Sequence, residues 1–155
     1  MQLDRRWIGA HIPHSGSMCL LDEVLSWDGT RIQCRSATHR ALDNPLRAHG
    51  RLGAASGIEY AAQAMAVHGA LVAPSTSAPT VGYLAGVRRV VLYVARLDDI
   101  ETDLVINGER INGNETTVVY EFSVRAEAET LLSGRATIVL NAAVFTASGR
   151  KPQAQ

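Results

Sequence analysis

Ser56, Glu59, Tyr60 and Gln63 stand three, four and seven positions apart in the run GAASGIEYAAQAMAVHGALVA, residues 53–73. At roughly 100° per residue, that spacing puts all four side chains on one arc of a helix. A carboxylate on an otherwise small and apolar helix is partly stripped of water, which favours its protonated form and suits it to deliver a proton near neutral pH. Glu59 is therefore the leading catalytic candidate, and Gln63, one turn on, can orient its carboxyl by hydrogen bonding. The same arc could be the wet stripe of an amphipathic helix, and the spacing alone does not choose.

A proton-transfer site needs a second group, and histidine titrates in the right range. Two histidines compete for that place. His14 follows Pro13 in IPHSGSMCLLDEV, and His49 lies in the loop that feeds the helix, ten positions ahead of Glu59. His14 could equally fix the entry of the chain into its first strand, and His49 could be an exposed loop residue. His11, His39 and His68 have no evident partner and read as structural or surface residues. The five histidines and two cysteines reproduce neither HExxH nor paired CxxC spacing, and neither a GxxxxGK[ST] nor a GxGxxG loop nor a GxSxG elbow occurs. Chemistry without a metal or other cofactor is the expectation.

The elements that must position these groups follow from pattern. The 155 residues carry 15 basic and 15 acidic side chains and are 46% hydrophobic. One core is expected, in a domain over residues 1–147 with a polar tail at 148–155. Balanced charge argues against nucleic acid or an anionic membrane as partner. The N-terminal stretch lacks a signal pattern, the cysteines are two, and the apolar runs are too interrupted to span a bilayer; a soluble protein of the reducing cytoplasm is expected.

Residues 19–27 and 31–39 read as two strands joined by a turn at Asp28–Gly29. Residues 40–52 read as a loop, 53–73 as a helix stopped by Pro74, and 74–80 as a second loop. From Val81 the pattern becomes four strands in an antiparallel meander. An alanine-rich helix without a single apolar stripe cannot sit outside a domain. It needs a sheet curled around it, which predicts the hotdog fold, whose sheets usually pair between subunits.

IPHSGSMCLLDEV resembles the opening motif of the hotdog 3-hydroxyacyl-acyl-carrier-protein dehydratases, and GIEYAAQAMAVHGAL resembles their central helix. VGYLAGVRRVVLYVARLDDIETDL is similar to their following strand and SGRATIVL to their last. The combination with NPLR and GRL is most similar to the subgroup associated with bacterial aryl polyene biosynthesis. The resemblance covers about residues 12–140. It implies dehydration of a 3-hydroxyacyl thioester carried on acyl carrier protein, with Glu59 in the acidic position. Gln63, Gly53, Ala54, Ser56 and Gly86 are then expected to line the substrate, with N–H groups at the helix start polarising the thioester carbonyl. Arg88, Arg89 and Arg96 are expected to meet the acidic carrier. The sequence departs from the family where its histidine precedes the helix: a gapless alignment on Glu59 puts Pro45 there. Either His49 or His14 supplies the imidazole, or the reaction is lost. A hotdog thioesterase and a silent partner subunit are the alternatives, as homodimer or heteromer.

Overall fold

The computed structural model describes residues 2–73 and 82–140. The predicted loop at 74–80, the domain end at 147 and the tail at 148–155 lie outside the described residues. In chain order the elements are α1 (Arg5–His11), β1 (Glu23–Trp27), β2 (Arg31–Ser36), α2 (Gly57–Val72, entered through a 3₁₀ turn at Ala54–Ser56), β3 (Tyr83–Leu92), β4 (Leu104–Gly113), β5 (Thr117–Ala126) and β6 (Glu129–Val139). The six strands form one antiparallel sheet in the order β1-β2-β4-β5-β6-β3.

Alternation in the central strands decides which face meets the helix. Ile32, Cys34 and Ser36 of β2, Leu104 and Ile106 of β4, and Val118, Tyr120, Phe122 and Val124 of β5 are all buried, while their neighbours in sequence are partly or fully exposed. Onto this face α2 lays Tyr60, Ala61, Gln63, Ala64, Met65, Val67 and His68. Alanine lets the helix come close, and Gly57 comes closest: a Cβ there would lie 2.5 Å from Cδ2 of Leu132, a side chain with no exposed surface. Gly57→Val should therefore overpack the β6 contact and cost about 3 kcal/mol of unfolding free energy. Chemical denaturation measures the loss, and Leu132→Ala in the same chain should recover part of it. A Gly57→Val protein as stable as wild type would show that the helix does not sit where these contacts put it.

The structure corrects the sequence reading in five places, the first being that the strand read over 31–39 ends at Ser36 and gives way to a 3₁₀ turn at Thr38–Arg40. Arg5–His11 is a helix, capped by Asp4, whose carboxylate accepts the Trp7 N–H at 3.0 Å. Strand β1 begins at Glu23 rather than Cys19, because Cys19, Leu20 and Leu21 are buried by packing under α2 and not by pairing in the sheet. Residues 53–56 precede the α-helix as a β-bridge of Gly53 to Arg96 and a 3₁₀ turn at Ala54–Ser56. The four later strands are not one meander: β4, β5 and β6 are, but β3 pairs with β6 at the far edge.

Two of the remaining histidines are structural. His68 donates from Nε2 to the Asp28 carbonyl at 2.8 Å and accepts from the Tyr120 hydroxyl at Nδ1 at 2.6 Å. Burial pushes that phenol up to about 12, so it stays protonated and can donate. His39 donates to the Ile100 carbonyl at 3.0 Å. Burial lowers the pKa of both imidazoles below the ordinary value. As pH falls the unfolded chain binds protons at these positions before the folded one does, so their stabilisation is complete above about pH 7 and is lost as pH drops through about 6.5. Asp28, Asp98 and Asp103, held low by their donors, act in the same direction only below about pH 4. Urea titrations at pH 7.5 and pH 5.5 should show the lower stability at the acidic value, and a rise there would contradict the burial of these rings.

Candidate functional site

Chain direction brings His14 to Glu59. Asp4 starts α1, Ile8 and Ile12 bury against the core, and Ile12 ends the helix in an extended conformation. Pro13 carries the chain out, and Gly16, at φ 59°, turns it into a short 3₁₀ turn at Gly16–Met18. His14 stands at that corner with Nε2 3.0 Å from Oε2 of Glu59. Glu59 lies in the first turn of α2, where the helix dipole favours negative charge.

Gln63 holds the two pieces together. Its Oε1 accepts the Leu20 N–H at 2.9 Å, which turns Nε2 towards the Met18 carbonyl at 2.7 Å and Oε2 of Glu59 at 3.3 Å. Both amide N–H groups and the carbonyl oxygen are engaged, and the side chain has no exposed surface. The Leu20 carbonyl is gripped from the other side by the hydroxyls of Ser36 and Thr38. Tyr60 donates to Thr38 at 2.8 Å and accepts from Asn44 at 3.0 Å. The polar arc of α2 is thus no wet stripe. It is the seam that fixes the His14 segment on the helix, and a satisfied buried network of this kind enforces one geometry.

The electrostatic consequence follows from the direction of the donors. Oε2 of Glu59 accepts from Gln63, so the proton of the Glu59–His14 contact sits on His14 Nε2 when the carboxyl is ionised. Oε1 of Glu59 and Nδ1 of His14 have no hydrogen-bond partner among the described residues. The side chains of His14 and Glu59 are 26% and 33% exposed, so in the single chain the pair lies at the surface rather than in an enclosed apolar tunnel.

The other sequence-predicted residues are placed as follows. His49 is exposed on a turn between Ala48 and Arg51, at φ 55°, and the imidazole against Glu59 is that of His14. Of the helix-start amides, Ala54 N–H is bonded to the Ala95 carbonyl at 3.1 Å and Ser56 N–H to the Gly53 carbonyl at 3.0 Å. Those two donors are spent within the fold. Gly53 lines a pocket of about 270 Å³ with Leu46, Ala48, Arg51, Ala95 and Arg96. Gly86 is exposed on β3 at a register shift. Arg96 is held by Asp98, with Asp99 at 3.9 Å, so its charge is largely neutralised. Sequence reasoning missed Ser36, Thr38 and Asn44, whose signal was only that Tyr60, on the polar arc, needs buried partners for its hydroxyl. Among the described residues no group of three metal-ligating side chains occurs, and no helix is long and apolar enough to cross a membrane.

Comparison with known proteins bears on both fold and site. The family model for ApeP-like proteins, described as ApeP dehydratase, matches residues 7–147. Among solved structures, the dehydratase heterocomplex ApeI:P from Xenorhabdus doucetiae superposes with a TM-score of 0.76 at 23% identity, over 85% of this chain and 89% of that one. A mutant thioesterase from Pseudomonas aeruginosa superposes with a TM-score of 0.64 at 13% identity, over 89% and 94%. A hypothetical thioesterase with coenzyme A from Streptococcus pneumoniae gives 0.53 at 18% identity, over 76% and 84%. No curated protein sequence matches the chain. These likenesses show the hotdog fold: an open antiparallel sheet of six strands on a central helix of 19 residues, 54–72.

Proposed function

The chain belongs to the ApeP-like dehydratase family, and we propose that it removes water from a 3-hydroxyacyl thioester borne by acyl carrier protein, giving the trans-2-enoyl thioester, in aryl polyene biosynthesis. The His14–Glu59 contact at 3.0 Å carries this reading. It supplies an acid and a base beside each other, which is what elimination of water next to a carbonyl requires.

The substrate enters between the two groups. His14 Nε2, freed from Glu59, takes the proton from the carbon next to the thioester carbonyl. Protonated Glu59 gives its proton through Oε1, the oxygen without a protein partner, to the departing hydroxyl. One C–H and one C–O bond break, the C=C bond forms, and water leaves. The imidazolium proton then passes by way of the released water to Oε1 of the Glu59 carboxylate, which resets the pair. Gln63 keeps Oε2 an acceptor throughout, so the labile proton is directed to Oε1. The amides of Gly53 and Ala55, which have no acceptor among the described residues, are the donors left at the helix start to polarise the thioester carbonyl. Arg51, beside the Gly53 pocket, offers a cation to the phosphate of the carrier's pantetheine arm.

The reading is tested by offering the chain, together with any hotdog chain it assembles with, 3-hydroxyacyl and saturated acyl thioesters separately. Growth of enoyl absorbance without free thiol supports it. Thiol release from the saturated substrate, with no enoyl product from the other, would assign thioesterase chemistry instead.

A further inference from the structure

We propose that the outer edge of β3 selects the partner strand by charge: unpaired Arg88 and Arg89 at its middle disfavour a second copy of this chain and favour a strand of a different hotdog chain carrying carboxylates at its centre. This rests on the reading that the chain works in a heteromeric assembly.

The observations begin with apolar exposure. Tyr83, Leu84, Val87, Val91, Leu92 and, just beyond the strand, Tyr93 are between 38% and 59% exposed. Nearly every residue of β3 is exposed, which is not the alternation of a strand with one solvated face. Among the described residues, this ten-residue strand has no strand partner on its outer edge. The opposite edge is blunted: β1 has five residues, and its Val24 N–H is bonded to the Leu3 carbonyl. A second strand covers the β3 edge and its apolar side chains in one step.

Charge decides which strand. Across the sheet a row runs Arg31–Glu109–Glu121–Arg135–Arg88, from β2 through β4, β5 and β6 to β3. Arg31 pairs with Glu109 at 3.3 Å and Arg135 with Glu121 at 2.7 Å. The row therefore ends at the edge on Arg88, which faces Arg135 and has no carboxylate among the described residues. Arg89 follows it at φ 56°, in the extra residue of a bulge between Arg88 and Val91. The positive φ of this non-glycine residue costs backbone energy, and with the bulge it re-aims the Arg89 side chain rather than serving the pairing of β3 with β6. The middle of Tyr83–Leu92 falls between Val87 and Arg88. In the two-fold antiparallel pairing that covers the full length of both edges the middles meet, which crowds four guanidinium groups around the axis. Like charges opposed across strands destabilise the pair, and a partner with carboxylates there gives Arg88 the counter-charge that Arg31 finds in Glu109 and Arg135 in Glu121.

The chain's own charge-reversed variant, Arg88→Glu/Arg89→Glu, serves as a surrogate acidic edge. Association is read by sedimentation and native mass spectrometry, with circular dichroism confirming the fold. Wild type mixed with this variant should form a one-to-one pair about tenfold or more tighter than either alone at low salt, with the gap closing at high salt. The neutral variant Arg88→Gln/Arg89→Gln should self-associate more tightly than wild type. Wild type that pairs with itself as tightly as with the charge-reversed variant at low salt would overturn the proposal. Glu59→Gln should leave every one of these association readings unchanged, so failure of the dehydration chemistry and failure of the partner choice are separately visible.

Discussion

Replacing Glu59 by Gln is expected to lower turnover of a 3-hydroxyacyl thioester by about 10²–10⁴-fold, the contribution of a positioned acid or base. The amide fills the same volume and still accepts at its carbonyl oxygen from Gln63 and His14, so the seam between α2 and the His14 segment is kept. Only the titratable proton is removed. Thermal melting should therefore match wild type while the rate falls and KM changes little, because the loss is confined to the transition state. A Glu59→Gln protein with near-normal turnover would move the acid elsewhere. One that is inactive because it is unfolded would say nothing of chemistry, which is why the melt is part of the measurement.

The second large effect is expected at His14. His14→Asn keeps a polar side chain at the corner but has no nitrogen at the place of Nε2 and cannot take a proton from carbon, so turnover should fall by a comparable 10²–10⁴-fold. His49→Ala, on an exposed turn, should leave the rate close to wild type. The opposite pattern, with His49 essential and His14 dispensable, would mean that the loop after Asn44 supplies the imidazole, as the family position occupied here by Pro45 suggested from the sequence.

How far these residues could be seen in advance depended on the range of the interaction. Glu59 and Gln63 were visible because helical spacing puts them on one face. The helix itself was visible because fifteen of the 21 residues 53–73 are alanine, glycine or aliphatic, in a stretch ended by proline. Strand alternation gave β2, β4 and β5, and the Asp28 carboxylate, accepting from Thr30 and Arg31, makes the hairpin turn that Asp-Gly predicts. The place of β3 was hidden, since nothing in its own residues says that it pairs with β6 at the edge of the sheet. The α1 helix was legible in retrospect: Asp4 caps it and Pro13 follows its end. The choice between His14 and His49 was out of reach because it is made by distant contacts. Gln63 holds Met18 and Leu20 from 43 to 45 positions away, and Ser36 and Thr38 hold the Leu20 carbonyl. The partly exposed site was not foreseen either, because an apolar helix suggests enclosure that one chain does not provide.

The central claim is that His14 and Glu59 act as one unit, and single-turnover enoyl formation by wild type, His14→Asn, Glu59→Gln and the double variant tests it most directly. Groups that work as a couple lose nearly everything with the first substitution, so the double variant should be about as slow as either single one. Losses that multiply, with each substitution slowing the reaction by its full factor in the background of the other, would show two independent groups and contradict the account.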